Sequence, residues 1–213
     1  MSNVRPMNSL RRVLAFSLVL LASAAQGRPV GCDDASLPPD QRWNGATSFT
    51  TPALARFYSI SQELTAAYKS NNVAAAQSLA TEYLQASKSF PCNWNYGNAI
   101  HDSNAVLGLL ALHSGKRNEA AQFLVSAGKT PGSPQLNSFG PSLLLAKEVA
   151  QAGQFTAVEA YLRSVQTFWK PVDMSVLGAL LPYFRDPDPI STWIKQAHEG
   201  KVPDFGRFNM LPP

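Results

Sequence analysis

The side chains best suited to chemistry lie in the stretch NYGNAIHDSN, at positions 95–104. It contains Asn98, His101, Asp102 and Asn104. Histidine titrates near neutral pH, so a histidine beside a carboxylate could transfer protons. Adjacent residues on a helix point about 100° apart, however, so we expect that His101 and Asp102 cannot readily orient one another. We therefore favour a structural role, in which Asp102 lies near the positive end of a helix dipole and His101 packs beneath a loop.

No other pattern in the sequence is typical of a catalytic or metal site. His113 and His198 have no metal-ligand spacing from His101. The serines lack the context of a nucleophile elbow, and no phosphate-binding loop or dinucleotide fingerprint occurs. We therefore expect no catalytic residue, no metal and no cofactor. The alternative is an enzyme of unknown reaction, with a site around His101, Asp102 and Asn104 under the 131–141 loop.

That loop is the second candidate feature, within the stretch GKTPGSPQLNSFGP at 128–141. Its glycines and prolines impose turns, and a long loop in a compact domain is usually functional. Leu136 and Phe139 are large apolar residues that a solvated linker would not need. We predict that the loop folds back over the 93–98 segment and His101, with Phe139 packed down. It would be a structural lid or one wall of a binding site.

Aromatic residues support a binding site at this loop. Trp94, Tyr96 and Phe139 could line a groove for an extended peptide, where amphipathic rings are good anchors. Packing between helices is the other interpretation of these rings. We also expect Ser138 or Gly140 to cap a helix that begins with a proline immediately after the loop.

The surrounding sequence predicts helices in pairs. From Pro52 onward, apolar residues recur at spacings of three and four, and Thr51 is a suitable N-cap. Turns are predicted at Asn71-Asn72, Gly115 and Gly153. Two shorter helices are expected near 174–184 and 190–200, and no stretch alternates as a strand does. The predicted fold class is all-α: stacked antiparallel helix pairs, with about six main helices and a short helical C-terminal tail.

The segment VLGLLALHSGKRNEAAQFLVSA, at 106–127, resembles a tetratricopeptide repeat. The matching positions are Leu107-Gly108, the turn residue Gly115, and the small residues Ala120 and Ala127 at helix crossings. Asn104 and Ala111 replace the aromatic residue and the tyrosine that are usual in the repeat. The resemblance implies an α-solenoid over about residues 52–170 that binds a partner protein or peptide.

A second resemblance is to a group of uncharacterised exported bacterial proteins. It rests on YGNAIHDSNAVLGLLAL and AGKTPGSPQLNSFGPSLLLAKE, at 96–112 and 127–148. This resemblance implies export and the helical fold, but no mechanism.

The first 26 residues have the order of a cleavable signal peptide. Three arginines precede a short apolar run from Val13 to Leu21, and small residues follow at 22–25. The run is too short for a membrane span, which needs about 20 residues. Acylation of Cys32 is disfavoured because Arg28, Pro29 and Val30 separate it from the apolar run. We expect Sec-type export to the periplasm or beyond, without stable membrane insertion after cleavage.

Charge and cysteine content fit an exported protein. The chain has 18 basic and 14 acidic residues, and three of the basic ones lie in the leader. The mature chain is thus almost neutral, which gives no reason to expect a nucleic-acid partner. Cys32 and Cys92 are the only cysteines. In an oxidising compartment they are expected to form a disulfide, with two free thiols as the alternative.

We therefore predict four segments: a signal peptide at 1–26, an irregular arm at 27–51, a helical repeat domain at 52–200 and an irregular tail at 201–213. The expected function is a non-catalytic interaction module for a protein or peptide. The candidate binding residues are Trp94, Tyr96, Asn98, His101, Asp102, Asn104 and Phe139. A third possibility is an accessory subunit that stabilises an envelope complex.

Overall fold

A computed structural model describes residue 32 and residues 51–169 and 189–209. The predicted leader, most of the predicted arm and the predicted helix near 174–184 lie outside these residues. The described part contains eight α-helices, one 3-10 turn at Gly206–Asn209 and no strand, which confirms the all-α fold class. The helices are α1 Pro52–Lys69, α2 Val73–Ser87, α3 Tyr96–His113, α4 Arg117–Gly128, α5 Pro134–Phe139, α6 Leu144–Gln151, α7 Phe155–Phe168 and α8 Pro189–His198.

The predicted caps and turns of the first pairs are confirmed. Thr51 Oγ1 accepts a hydrogen bond from the Leu54 N–H at 3.2 Å, and Pro52 opens α1, where its missing N–H costs nothing. Asn72 caps α2 through the Ala75 N–H. Gly115 and Gly153 end helices with φ of 82° at each, a left-handed backbone that glycine adopts without strain.

Two helix starts differ from the prediction. Tyr96 is the first residue of α3, so His101 and Asp102 lie in its second turn and do not open it. The chain remains non-helical from Gly140 to Leu143, whose N–H donates to the Phe208 carbonyl at 2.6 Å. Consequently α6 begins at Leu144, whose N–H donates to Ser142 Oγ at 3.4 Å, and Gly140 ends the preceding helix and does not cap α6.

The apolar interior is divided into two cores. The first joins α1 and α2 to the N-terminal half of α3, and includes Phe57 and Tyr83. The second extends from Leu109 to the C-terminal segment and includes Leu162. Helix α3 contributes to both, and 11 of its 18 residues are buried. It therefore forms a wall shared by the two cores.

Small residues allow the helix pairs to approach closely. A Cβ added to Gly108 on α3 would lie 2.4 Å from Leu145 Cδ2 on α6, so any larger residue at this position of the repeat-like segment would displace the Leu145 side chain. The first and second pairs pack mainly through α2 and α3, whereas the second and third pack mainly through α4 and α7. The regular stacking of a solenoid remains a prediction.

The C-terminal segment packs on the third pair. Trp169 and Trp193 pack together with Phe205 and Phe208, with ring centroids 4.8–6.3 Å apart. Trp193 Nε1 donates to the Asp204 carbonyl at 2.8 Å. The predicted helix near 190–200 is confirmed. The tail was expected to be irregular, and up to residue 209 its only helical part is the 3-10 turn.

The predicted disulfide between Cys32 and Cys92 is confirmed. Both cysteines are buried, and Cys92 lies in the turn that precedes α3. The bond therefore ties an N-terminal position to the start of the central helix. Within the described residues, no helix combines the length and the apolar character needed to cross a membrane.

Candidate functional site

The N-terminal half of α3 begins from a turn that is fixed by hydrogen bonds. Asn93 is fully buried, and its Oδ1 accepts from Tyr58 Oη at 2.8 Å and from the Asn95 N–H at 2.9 Å. Asn95 Nδ2 in turn donates to Tyr83 Oη at 2.6 Å. The first core thus sets the position and direction of α3, and with them the position of His101.

His101 and Asp102 do orient one another, contrary to the expectation from helical spacing. His101 Nδ1 lies 2.8 Å from Asp102 Oδ1, and its Nε2 lies 3.0 Å from Tyr161 Oη on α7. The angular argument was wrong because two rotatable side-chain bonds on each residue can bridge 100° of separation between Cβ directions.

The direction of each hydrogen bond follows from what the groups can donate. An ionised Asp102 only accepts, so the proton of the neutral imidazole belongs on Nδ1 and Nε2 accepts from Tyr161. Tyr161 Oη is closer to Nε2 than to the Ser142 carbonyl oxygen, which is 3.4 Å away. Burial, and then the charge of Asp102, raise the pKa of Tyr161, so its hydroxyl stays protonated and can donate.

The dipole explanation for Asp102 is also wrong. Asp102 lies six residues beyond the first residue of α3, where the dipole effect has faded. The charge of Asp102 is instead stabilised by the hydrogen bond from His101. Burial raises the pKa of Tyr83 on α2, and the charge of Asp102 raises it further. The carboxylate thus lies close to buried tyrosines of both cores.

This cluster is closed to solvent. His101 is 1% exposed and Asp102 8% exposed, and both imidazole nitrogens are occupied. Asn104 is also buried and donates from Nδ2 to the Ile100 carbonyl at 2.7 Å. In this arrangement the cluster can join α3 to α7, but it presents no free acid or base to a substrate.

The loop after α4 folds back over the start of α3, as predicted. Thr130 Oγ1 donates to the Gly97 carbonyl at 3.0 Å, and Ser133 Oγ donates to Asn98 Oδ1 at 2.5 Å. A Cβ added to Gly97 would lie 1.8 Å from the carbonyl oxygen of Gly132. The loop is therefore pressed directly onto the first turn of α3.

The loop contains the short helix α5, which the sequence analysis missed. Ser133 caps it by accepting from the Leu136 N–H at 3.0 Å, and the Ser133 N–H donates to Asn137 Oδ1 at 3.3 Å. Leu136 is buried as expected, but Phe139 is 73% exposed. The prediction that Phe139 packs down is wrong, because Leu136 and Asn137 form the buried face of this short helix and Phe139 does not lie on it.

The end of the loop is fixed by an aromatic ring. Gly140 has φ of 82°, and a Cβ there would lie 2.4–2.7 Å from atoms of the Trp169 indole. Trp169 itself is buried in the C-terminal aromatic group. Phe139 is therefore carried on a segment held at one end by α3 and at the other by Trp169.

The remaining candidates lie at the start of α3. Trp94 and Tyr96 are half-buried, and the buried Trp94 Nε1 has no hydrogen-bond partner among the residues described. Asn98 also donates to Gln135 Oε1 at 3.4 Å. Sequence reasoning missed Tyr161 and Thr130. The only signal for Tyr161 was a polar hydroxyl within an otherwise apolar helix stripe.

No metal site is present in the part of the chain that the structure describes, since no three His, Cys, Asp or Glu residues converge there. The chain matches no protein-family model, no curated protein and no solved structure. Any assignment of function therefore rests on the geometry described above.

Proposed function

We propose that the protein is an exported helical interaction module that binds a partner protein or peptide through its 131–141 loop, with Phe139 as the anchor. The observation that carries this proposal is the 73% exposure of Phe139 on a segment fixed at both ends. A large ring held in water is favourable to bury against a partner.

Fixation of the loop matters as much as exposure of the ring. Ordering a flexible loop on binding costs about 0.5–1.5 kcal/mol for each immobilised side chain. Here the hydrogen bonds from Thr130 and Ser133 to α3, and the contact of Gly140 with Trp169, already order the loop in the folded protein. Binding a partner therefore requires little further ordering of the loop. Asn98 and the exposed Gln135 supply polar groups beside the anchor, as at the rim of an interface.

The buried cluster favours this function over the enzyme alternative. An enzyme working through His101 would need a route for substrate to a side chain that is 1% exposed. Both ring nitrogens would also have to exchange their present partners. We therefore give His101, Asp102 and Asn104 a structural part in the module, and we propose Trp94, Tyr96 and Asn98 as neighbours of its binding surface.

Export is supported by two independent features. The first 26 residues have the composition of a signal peptide, and the Cys32–Cys92 disulfide is typical of an oxidising compartment. We propose the periplasm or the extracellular space as the place where the partner is met.

Site-specific photo-crosslinking in producing cells tests the proposal. Benzoylphenylalanine replaces Phe139 in one strain, Gln135 in a second, and the exposed Arg163 on α7 in a third as the control. We expect one recurrent protein adduct at the two loop positions and not at Arg163. An absence of adducts at Phe139 above the Arg163 background would refute it.

A matched pair of truncations tests the anchor. We expect Phe139→Ala to weaken capture of the crosslinked partner by at least about tenfold, since truncation of an anchor costs more than about 1.4 kcal/mol. Val202→Ala removes another exposed apolar side chain, 44% exposed in the C-terminal segment, and should leave capture unchanged. Equal effects of the two substitutions would contradict the anchor role.

A further inference from the structure

A separate cleft of about 310 Å³ lies at the other end of α3, beside the α1–α2 turn. Its apolar wall is formed by Val73, Ala76 and Leu110, and its polar wall includes Tyr68 and His113. The volume is at the lower end of the range for small-ligand pockets, about 300–1,000 Å³. At 1.5 Å per residue, His113 lies roughly 22 Å along the helix from Asn98, so this cleft is separate from the loop surface.

The polar wall has an unused hydrogen-bonding group. Tyr68 is half-buried, and its hydroxyl makes no hydrogen bond to any residue in the described part of the chain. A half-buried phenol packed against both cores is a fixed site where a ligand can donate a hydrogen bond in place of water.

A carboxylate lies beside the cleft. His113 Nε2 lies 2.7 Å from Glu148 Oε2, and the carboxylate is partly shielded from solvent. Burial is the main cause of the raised pKa of Tyr68, and the charge of Glu148 adds to it. No lysine or arginine is among the described residues that line the cleft. A ligand carboxylate would therefore be repelled, whereas a cation would be attracted.

We propose that this cleft binds an alkylammonium group, with its aliphatic stem against Val73 and Leu110 and its ammonium at Tyr68 and His113 beside Glu148. Val73 is 50% exposed, so an aliphatic stem can cover it. A free amine and the lysine side chain of a polypeptide share this chemistry. The proposal does not depend on partner binding at Phe139.

The test is an NMR titration of the full mature protein with n-butylammonium, and with n-butanol and butyrate as neutral and anionic probes of similar size. The signals followed are the Val73 and Leu110 methyl groups and the His113 ring, with the distant Leu136 methyl groups as an internal control. We expect saturable shifts at the cleft with butylammonium alone. Equal shifts with butanol, or no saturable shift with butylammonium, would overturn the proposal.

Two variants and one control complete the experiment. Glu148→Gln should weaken butylammonium binding about tenfold, as expected for one partly shielded charge, and Tyr68→Phe should weaken it severalfold. Glu119→Gln removes an exposed carboxylate on α4 and should have no effect. Unchanged affinity in Glu148→Gln would overturn the proposal.

A further titration with a terminally blocked Ala-Lys-Ala peptide distinguishes the two sources of the ammonium group. If the peptide binds at least tenfold more tightly than butylammonium, the natural ligand is a lysine side chain of a polypeptide. If it binds equally or more weakly, the natural ligand is a free amine.

Discussion

Replacement of Gly97 by alanine is the sharpest test of how the loop is held. The new Cβ would lie 1.8 Å from the oxygen and 2.5 Å from the carbon of the Gly132 carbonyl. Carbon and oxygen do not approach closer than about 3.3 Å, so the loop must retreat by roughly 1.5 Å. The helix cannot yield instead, because α3 is the wall shared by both cores.

The energetic effect can be worked from the contacts that this retreat breaks. The hydrogen bonds of Thr130 to Gly97 and of Ser133 to Asn98 would both become too long, at about 1 kcal/mol each. Gly97 is the second residue of α3, so alanine regains less than the roughly 1 kcal/mol that it gains in a helix interior. We expect a net loss of about 1–2 kcal/mol in the free energy of unfolding, and about 2 kcal/mol in the free energy that holds the loop closed.

Hydrogen exchange separates these two quantities. The Gly140 N–H donates to the Leu136 carbonyl at 3.1 Å and reports on the loop. Its exchange should accelerate roughly thirtyfold in Gly97→Ala, since each 1.4 kcal/mol is a factor of ten.

The matched control is Gly115→Ala, where φ is 82° and an added Cβ meets nothing within 4 Å. Backbone strain should lower the overall stability of this variant, without accelerating hydrogen exchange in the loop more than elsewhere in the protein. Two results would refute this account of how the loop docks on α3. One is an unchanged hydrogen-exchange rate at the Gly140 N–H in Gly97→Ala, and the other is a protein that becomes more stable because alanine favours the helix.

Two further substitutions test the interior. Tyr161→Phe should lower the free energy of unfolding by about 1–3 kcal/mol in urea titrations, because it leaves His101 Nε2 buried without a donor. If the loss were no smaller in a His101→Leu background, the proposed hydrogen bond would not be the cause. Paired Cys32→Ser and Cys92→Ser substitutions should cost about 4 kcal/mol, from the chain entropy of a loop spanning 60 residues. A change below about 1 kcal/mol would show that the disulfide restrains the unfolded chain very little.

Local features of the fold were readable from sequence where the determinant was itself local. Thr51 and Pro52 define a helix start through their own backbone and side-chain chemistry, and Gly115 marks a turn because it tolerates positive φ. The disulfide was predictable because only two cysteines exist. These features depend on a few neighbouring residues or on composition.

The site was less predictable because its determinants are distant in sequence. The partner of His101 is Tyr161, 60 residues away, and no spacing rule connects them. The orientation of Phe139 depended on the start of α5, which Ser133 and Pro134 set by capping. The sequence analysis expected a cap only before the helix that follows the loop, at Ser138 or Gly140. A one-residue difference in where a helix begins turns a side chain by about 100°, enough to change a buried ring into an exposed one.

The division of the interior into two cores has a consequence for the order of folding. The first core uses residues up to Val106, so it can close as soon as α3 has formed, whereas the second must wait for α7 and the C-terminal segment. Until then one side of α3 stays in contact with water. His101 faces Tyr161 on that unfinished side and is hydrogen-bonded to Asp102, and polar groups there are far less prone to aggregation than leucines would be. Although both side chains are buried in the folded protein, they are therefore also suited to contact with water in a partly folded chain, before Tyr161 packs against His101.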